Sequence, residues 1–343
     1  MNVFEHEEFS AHEQIVFCHD VETGLRAIIA IHNTNLGPAL GGCRMWDYPD
    51  EAAALEDALR LSRGMTYKAA MANLPLGGGK AVILGDARRD KTPALVKAFG
   101  RHVGHLGRRY ITAEDVGTSV ADMDAIRTVT DHVVGVTGGA GDPSNSTAHG
   151  VFIGIEACIR HALGRDSAAG LHVAVQGAGH VGWFLCEYLA RAGARLTIAD
   201  INREAVARVV NDFGATAVGP DEIYGVDCDV FAPCALGAVV NDETVGRLKA
   251  RIVAGSANNV LDEPRHGADL RQRGLLYAPD YVINAGGLID VARFACDFDI
   301  DEARRKLHQI DDTLTEIFRR ADAEDRATSE IADTIAEERF GKR

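Results

Sequence analysis

Six residues constrain this chain more than any others: Gly177-Ala178-Gly179-His180-Val181-Gly182, a full GxGxxG. The pattern is weak by itself, but here it follows the apolar run HVAVQ (172–176) and leads into WFLCEYLARAG, the strand-then-helix context it needs. Gly177 then permits a tight turn, Gly179 lets backbone approach a pyrophosphate, and Gly182 packs helix on strand. The phosphates would sit at the positive end of the helix that His180 and Val181 open. Asp200 closes the next strand, RLTIAD (195–200), 18 residues after Gly182. A carboxylate there accepts hydrogen bonds from the adenosine ribose, and a 2′-phosphate would meet like charge. The expected cofactor is NAD rather than NADP, although Arg203 lies close by. A structural turn with a helix cap is the plainer alternative.

The 343 residues suffice for two domains. Strand-like IVFCH (15–19) and LRAIIAIH (25–32) flank a turn at Glu22-Thr23-Gly24, and helix 51–72 has Asp50 as its cap. KAVIL (80–84) reads as a strand, and Thr92-Pro93 opens another helix. Residues 135–149, rich in Gly, Ser, Thr, Asn and Pro, are the best linker candidate. Beyond them a helix is expected over 151–163 and another over 203–213. DCDVFAPC, RIVAGS and LLYAPDYVINAGG supply further strands. Strand–helix alternation of this kind implies parallel βαβ units in a doubly wound sheet. At the C-terminal end Leu307, Ile310, Leu314, Ile317, Phe318 and Ala321 recur at helical spacing, a core-facing stripe. The fold class is therefore α/β.

Composition narrows the function. With 36 Lys+Arg against 50 Asp+Glu the formal net charge is −14, which argues against a nucleic-acid partner. The seven cysteines form no CxxC pair, so no metal site is expected. The acidic N-terminus lacks an apolar signal segment, and no apolar run approaches membrane-spanning length. A reduced, cytoplasmic protein without membrane partners is the expectation.

A second glycine cluster, Gly77-Gly78-Gly79-Lys80, lacks the GxxxxGK spacing of a Walker loop, and Ala81 stands where Ser or Thr would hold magnesium. It delivers one lysine to the start of an apolar strand, where its charged form is disfavoured and acid–base work suits it. A surface lysine after a flexible loop is the alternative. Lys68, near the end of helix 51–72, reads in isolation as a solvated lysine. Glu114 and Asp115 follow the strand-like RRYI and suit either an acid/base site or a loop cap.

Seven segments occur in order: LGPALGGCRMW (36–46), NLPLGGGKAVI (73–83), TAEDVGT (112–118), VQGAGHVG (175–182), FAPCALGAVVND (231–242), AGSANN (254–259) and YAPDYVINAGG (277–287). Together they make the chain similar to the glutamate/leucine/phenylalanine/valine dehydrogenases, with the leucine branch nearest, over almost its whole length. The resemblance implies an N-terminal α/β substrate and oligomerisation domain (1–145), with the tail 325–343 packing back on it. It implies a Rossmann domain (146–324), a closing cleft and homo-oligomers. It also implies reversible NAD-dependent oxidative deamination of an L-amino acid to the 2-oxo acid and ammonia.

By position, Lys68 matches the lysine that holds the substrate carboxylate, helped by backbone at Gly41-Gly42 and by Asn259. Lys80 matches the lysine that activates water, and Asp115 the acid/base for the amino group. Thr147 and Asn284 fall where nicotinamide or closure contacts lie. Leu40, Ala113, Leu288 and Val291 match the positions that select the side chain; all are apolar, which suits aliphatic substrates and argues against glutamate. Cys43 where threonine is usual, Leu288 where leucine enzymes often have valine, and the loop DPSNS before Thr147 depart from the pattern. A non-catalytic nucleotide-binding protein on the same fold would be favoured by loss of Lys68, Lys80 or Asp115, and all three are present. A 2-hydroxy acid dehydrogenase would want a His–carboxylate pair and a carboxylate-binding Arg. None of the histidines sits in such a motif, and the HxxH of His102 and His105 reads as a solvated helix face.

Overall fold

The computed structural model describes residues 2–139 and 142–341. It divides into two compact units: residues 1–141 with 291–299 and 336–343, and residues 142–290 with 300–335.

The first unit is built on β1 (Gln14–Asp20), β2 (Leu25–Asn33), β3 (Ala39–Trp46), β4 (Gly77–Leu84) and β5 (Tyr110–Glu114), in the order β1-β2-β4-β3-β5. β1 and β2 form an antiparallel hairpin closed at the 22–24 turn, while β4, β3 and β5 run parallel. Helices α1 (Glu51–Met71), α2 (Pro93–His105) and α3 (Val120–Arg127) pack on this sheet. Asp50 and Thr92 cap α1 and α2, accepting from the Ala53 and Leu95 N–H groups as their sequence positions suggest. One core lies around Ile29, Ile31, Phe99 and Tyr110, a second around Ile28, Leu55, Leu59 and Val82. Alternate residues of β2 therefore feed opposite faces of a sheet covered on both sides.

The strand expected from Lys80 starts three residues earlier, and the flexible loop of the alternative reading gives way to the close backbone approach. Gly77, Gly78 and Gly79 are buried inside β4. A Cβ on Gly78 would lie 2.0 Å from the Thr66 backbone nitrogen of α1, and one on Gly77 1.9 Å from the Asn33 carbonyl oxygen. These glycines let α1 and β2 press against the strand.

The second unit carries α4 (Ser144–Leu163), β6 (His172–Gln176), α5 (His180–Arg191), β7 (Arg195–Ala199), α6 (Arg203–Phe213), β8 (Thr216–Ala217), β9 (Val230–Pro233), β10 (Ile252–Val253), α7 (Arg265–Gln272), β11 (Leu276–Tyr277) and α8 (Asp280–Ile283). The sheet is parallel throughout, in the order β11-β10-β9-β6-β7-β8. The chain starts at β6, runs out through β7 and β8, and returns to β9 on the other flank of β6. That reversal makes the carboxyl ends of β6 and β9 the switch point where ligands bind in such sheets.

Three local expectations shift. Helix α4 starts at Ser144, inside the 135–149 linker candidate, whose residues 140 and 141 lie outside the described ones. The units divide at 141/142 rather than 145/146. The segment YVINAGG is helical: α8 is followed by α9 (Gly286–Cys296). A short apolar run fits a buried helix as well as a strand, and Ile283 packs where a Cβ on Gly154 would come within 2.4 Å of it.

The chain ends with α10 (Ile300–Glu324) and α11 (Thr328–Phe340), and the stripe from Leu307 to Ala321 is buried as expected. Residues 325–335 group with the second unit, so only 336–343 and the segment 291–299 join the first. Within the first unit, Tyr67 Oη donates to Glu337 Oε1 at 2.7 Å and Asn35 Nδ2 to the Phe340 carbonyl at 2.9 Å. Among the described residues no helix is long and apolar enough to cross a membrane.

Candidate active site

In the first unit the chemistry gathers at the carboxyl end of the parallel strands. Lys80 lies on β4, Gly42 on the adjacent β3 opposite Ala113, and Asp115 just past the end of β5. Lys80 is 6 % exposed, and its Nζ donates to Asp115 Oδ2. The lysine spans the width of β3 to make this contact. The glycines there make room: a Cβ on Gly41 would fall 1.7 Å from the Gly79 carbonyl oxygen, and one on Gly42 2.8 Å from Asp115 Cβ. Tyr110 Oη, buried beneath, donates to the Gly41 carbonyl at 2.6 Å and fixes that strand.

Arg44 was not singled out by the sequence reading. It follows Gly42 by two on β3 and so shares its face. Its Nε donates to Asp115 Oδ2 at 3.2 Å, and its guanidinium also reaches Asp57 Oδ2 at 2.8 Å. Burial pushes the Asp115 carboxyl up, but Lys80 and then Arg44 outweigh it and hold the group below the ordinary carboxylate range. Burial pushes neighbouring Glu114 the other way, reinforced by Asp122 and Asp115. Asp115 is thus the carboxylate kept ionised. Lys68 occupies the last turn of α1. Leu40 is fully buried in β3, while Ala113 and Val291, also in this unit, are half-buried.

The second unit has a different site. Gly177 adopts φ +111°, a conformation that favours glycine, and a Cβ on Gly182 would lie 2.0 Å from the Gly177 carbonyl oxygen. Gly179 caps α5 without a side-chain acceptor, which leaves the first N–H groups of the helix for an anion. Asp200 Oδ2 accepts from the Ala178 N–H and Oδ1 from the Asn202 N–H, both at 2.7 Å. The carboxylate braces the glycine turn, a role the spacing alone does not reveal. An open groove of about 580 Å³ runs past Gly179, His180, Trp183 and Asn202.

Asn284 is 3 % exposed; its Nδ2 donates to the Ser256 carbonyl and to Asn258 Oδ1, and its Oδ1 is buried with no partner among the described residues. An orphaned acceptor of this kind awaits a donor from a ligand. Thr147 Oγ1 donates to the Pro143 carbonyl, and Gly287 passes so close that a Cβ there would meet it at 2.6 Å. Asn259 is exposed in the left-handed region at φ +51°, and its carbonyl holds the Ala238 N–H at 2.7 Å. Leu288 is half-buried in this unit. The glycine turn, the uncapped helix and the orphaned amide fit a dinucleotide.

The model of the Glu/Leu/Phe/Val dehydrogenase dimerisation domain matches residues 12–132, and that of the Glutamate/Leucine/Phenylalanine/Valine dehydrogenases matches residues 194–337. The chain belongs to this family. It is an amino acid dehydrogenase, an oxidoreductase. It is 54% identical to a leucine dehydrogenase of Geobacillus stearothermophilus, over 99% of this chain and 94% of that protein. A phenylalanine dehydrogenase of Caldalkalibacillus thermarum is 46% identical over 100% of this chain and 95% of its own. The crystal structure of an L-tryptophan dehydrogenase from Nostoc punctiforme superposes with TM-score 0.89 at 45% identity, covering 96% of each chain. In this dehydrogenase the two glycine-rich segments thus fall in separate units.

Proposed function

We propose that the protein catalyses the reversible, NAD-dependent oxidative deamination of an aliphatic, branched-chain L-amino acid, of leucine or valine type, to its 2-oxo acid and ammonia. The chemistry rests on one observation, the buried contact of Lys80 with Asp115. Full-length similarity to a leucine dehydrogenase supports the substrate class.

Bound NAD would supply the hydride acceptor, its pyrophosphate on the open N-terminus of α5 and its ribose toward Asp200. Lys68 neutralises the substrate carboxylate as a point charge, with backbone at Gly41-Gly42 beside it. Asp115, held ionised, accepts a proton from the substrate ammonium. Lys80, once it has released its own proton to solvent, takes the proton of the water that attacks the imine and, charged again, stabilises the carbinolamine. Asp115 then returns its proton to the amino group, which leaves with the hydroxyl proton as ammonium, so the pair serves successive steps with opposite demands. Leu40, Ala113 and Val291, all uncharged, select the side chain. A cytoplasmic homo-oligomer completes the reading, supported by the dimerisation-domain description of the first match.

NADH formation with leucine, valine, isoleucine, phenylalanine, tryptophan and glutamate, using NAD and NADP in parallel, tests it. The highest kcat/KM is expected for a branched aliphatic substrate with NAD. A preference for phenylalanine, tryptophan, glutamate or NADP would overturn the corresponding part.

A further inference from the structure

We infer that Arg44 is a positioning residue for the reaction: clamped between Asp57 and Asp115, it orients the Asp115 carboxylate toward Lys80. The inference rests on the Lys80–Asp115 pair being the reacting pair.

Arg44 uses separate nitrogens for the two carboxylates, Nε for Asp115 at 3.2 Å and a terminal nitrogen for Asp57 at 2.8 Å. A planar, permanently charged fork does this from fixed, separate nitrogens, whereas an ammonium must reach both acceptors from a single atom. Asp57 is fixed in turn. Tyr48 Oη donates to its Oδ2 at 2.6 Å, and Arg60 reaches its Oδ1 at 3.0 Å from one turn along α1. The anchor thus lies on α1, the strut on β3 and the supported carboxylate after β5. Arg44 and Asp115 are each about a quarter exposed or less, at 24% and 22% of their side chains. The contact is therefore sheltered enough to matter more than a surface ion pair.

Among the described residues Lys80 and Arg44 donate hydrogen bonds to Asp115; Glu114 adjoins it and Asp57 lies behind Arg44. Cys43, Tyr48 and Tyr110 also stand near, and burial pushes the ionisation of each upward, so they stay neutral through the working range. Removing the Arg44 charge therefore withdraws one of two cations. Arg44 is one of the charges that hold the Asp115 carboxyl down, so its loss raises the pKa of that carboxyl.

The test compares the pH dependence of kcat/KM for the parent, Arg44→Gln and Arg44→Lys, with thermal midpoint and NADH affinity measured alongside. In Arg44→Gln the acid limb should move up by about one pH unit, a roughly tenfold loss on the acidic side. A folded Arg44→Gln whose acid limb stays at the parent position would overturn the inference. Arg44→Lys keeps the charge but not the fork, so its limb should stay while kcat falls roughly tenfold from misalignment. This variant decides the matter alone if Arg44→Gln does not fold; a displaced limb or a parent-like kcat would overturn the role. Failure of the underlying reading shows separately, as full turnover in Lys80→Ala.

Discussion

The two glycine-rich segments look alike in sequence and do opposite work. Gly77-Gly78-Gly79 lies in extended strand, and its glycines are required because helix and neighbouring strands come too near for any side chain. In Gly177 to Gly182 the first glycine takes a left-handed backbone and the last closes helix onto turn, while nothing lies within 4 Å of a Cβ built on Gly179. The first cluster gives up side chains for packing, and leads directly into the buried Lys80. The second leaves room that the protein itself does not fill. Close packing explains the first set of glycines; at Gly179 the room lies beside the open N-terminus of α5, where an anion can approach.

Substitutions can break this contrast. The largest effect is expected for Lys80→Ala. Turnover should fall on the order of 10²–10⁴-fold, while NADH binding by fluorescence titration stays at the parent level. Loss of binding together with turnover would show that the first segment is not separable from the second.

Next come the glycines themselves. Gly78→Ala forces a methyl against the α1 backbone and should destabilise the protein by about 1–3 kcal/mol or more, read as a lowered denaturation midpoint. Gly179→Ala should shift stability by less than about 0.5 kcal/mol. It should nonetheless weaken NADH binding roughly tenfold, or about 1.4 kcal/mol. An unfolded Gly179 variant or a stable Gly78 variant would reverse the assignment of roles.

Asp200→Ala should lower the ratio of NAD to NADP efficiency and loosen the turn, because the Ala178 and Asn202 N–H groups lose their acceptor, at about 1 kcal/mol each. An unchanged ratio of kcat/KM values would mean that the carboxylate acts on the turn alone.

The smallest effect concerns His12, which is buried with Nε2 3.1 Å from both the Leu59 carbonyl and Ser62 Oγ of α1. Burial holds its pKa below the usual histidine value. The folded state resists a proton that the unfolded chain accepts, so the stabilisation is whole above about pH 6.5 and fades as pH falls below it. Denaturant unfolding at pH 7.5 and 5.5 should show a greater acid loss in the parent than in His12→Gln.

Much of this was legible beforehand. The dinucleotide turn was readable because a strand, a glycine spacing and a helix coincide over a dozen residues. The caps Asp50 and Thr92 were readable because capping is local. The β4 assignment of Gly77–Gly79 was not, since glycine disfavours strands and only contacts with α1, β2, β3 and β5, remote in sequence, explain it. Nor was β3, whose sequence ALGGCRMW hides its alternation behind two glycines that serve its neighbours. Arg44 escaped for the same reason: it stands beside the recognised glycines, and its partners Asp57 and Asp115 lie 13 and 71 residues away. The helical YVINAGG was misread because apolar runs that short carry no period.

The way the chain is shared between its two units has a bearing on its biosynthesis. The first unit draws on residues 291–299 and 336–343 as well as the first 141, and Tyr67 waits for Glu337 to complete a hydrogen bond. A ribosome that has released the first 141 residues has therefore not released a finished unit. The amino-terminal part must persist without these pieces until the segment around Glu337 has been made, whereas the glycine turn after β6 and the strands of its sheet emerge as one uninterrupted stretch. A stop codon or frameshift ahead of the codon for Glu337 would injure the part of the protein made first.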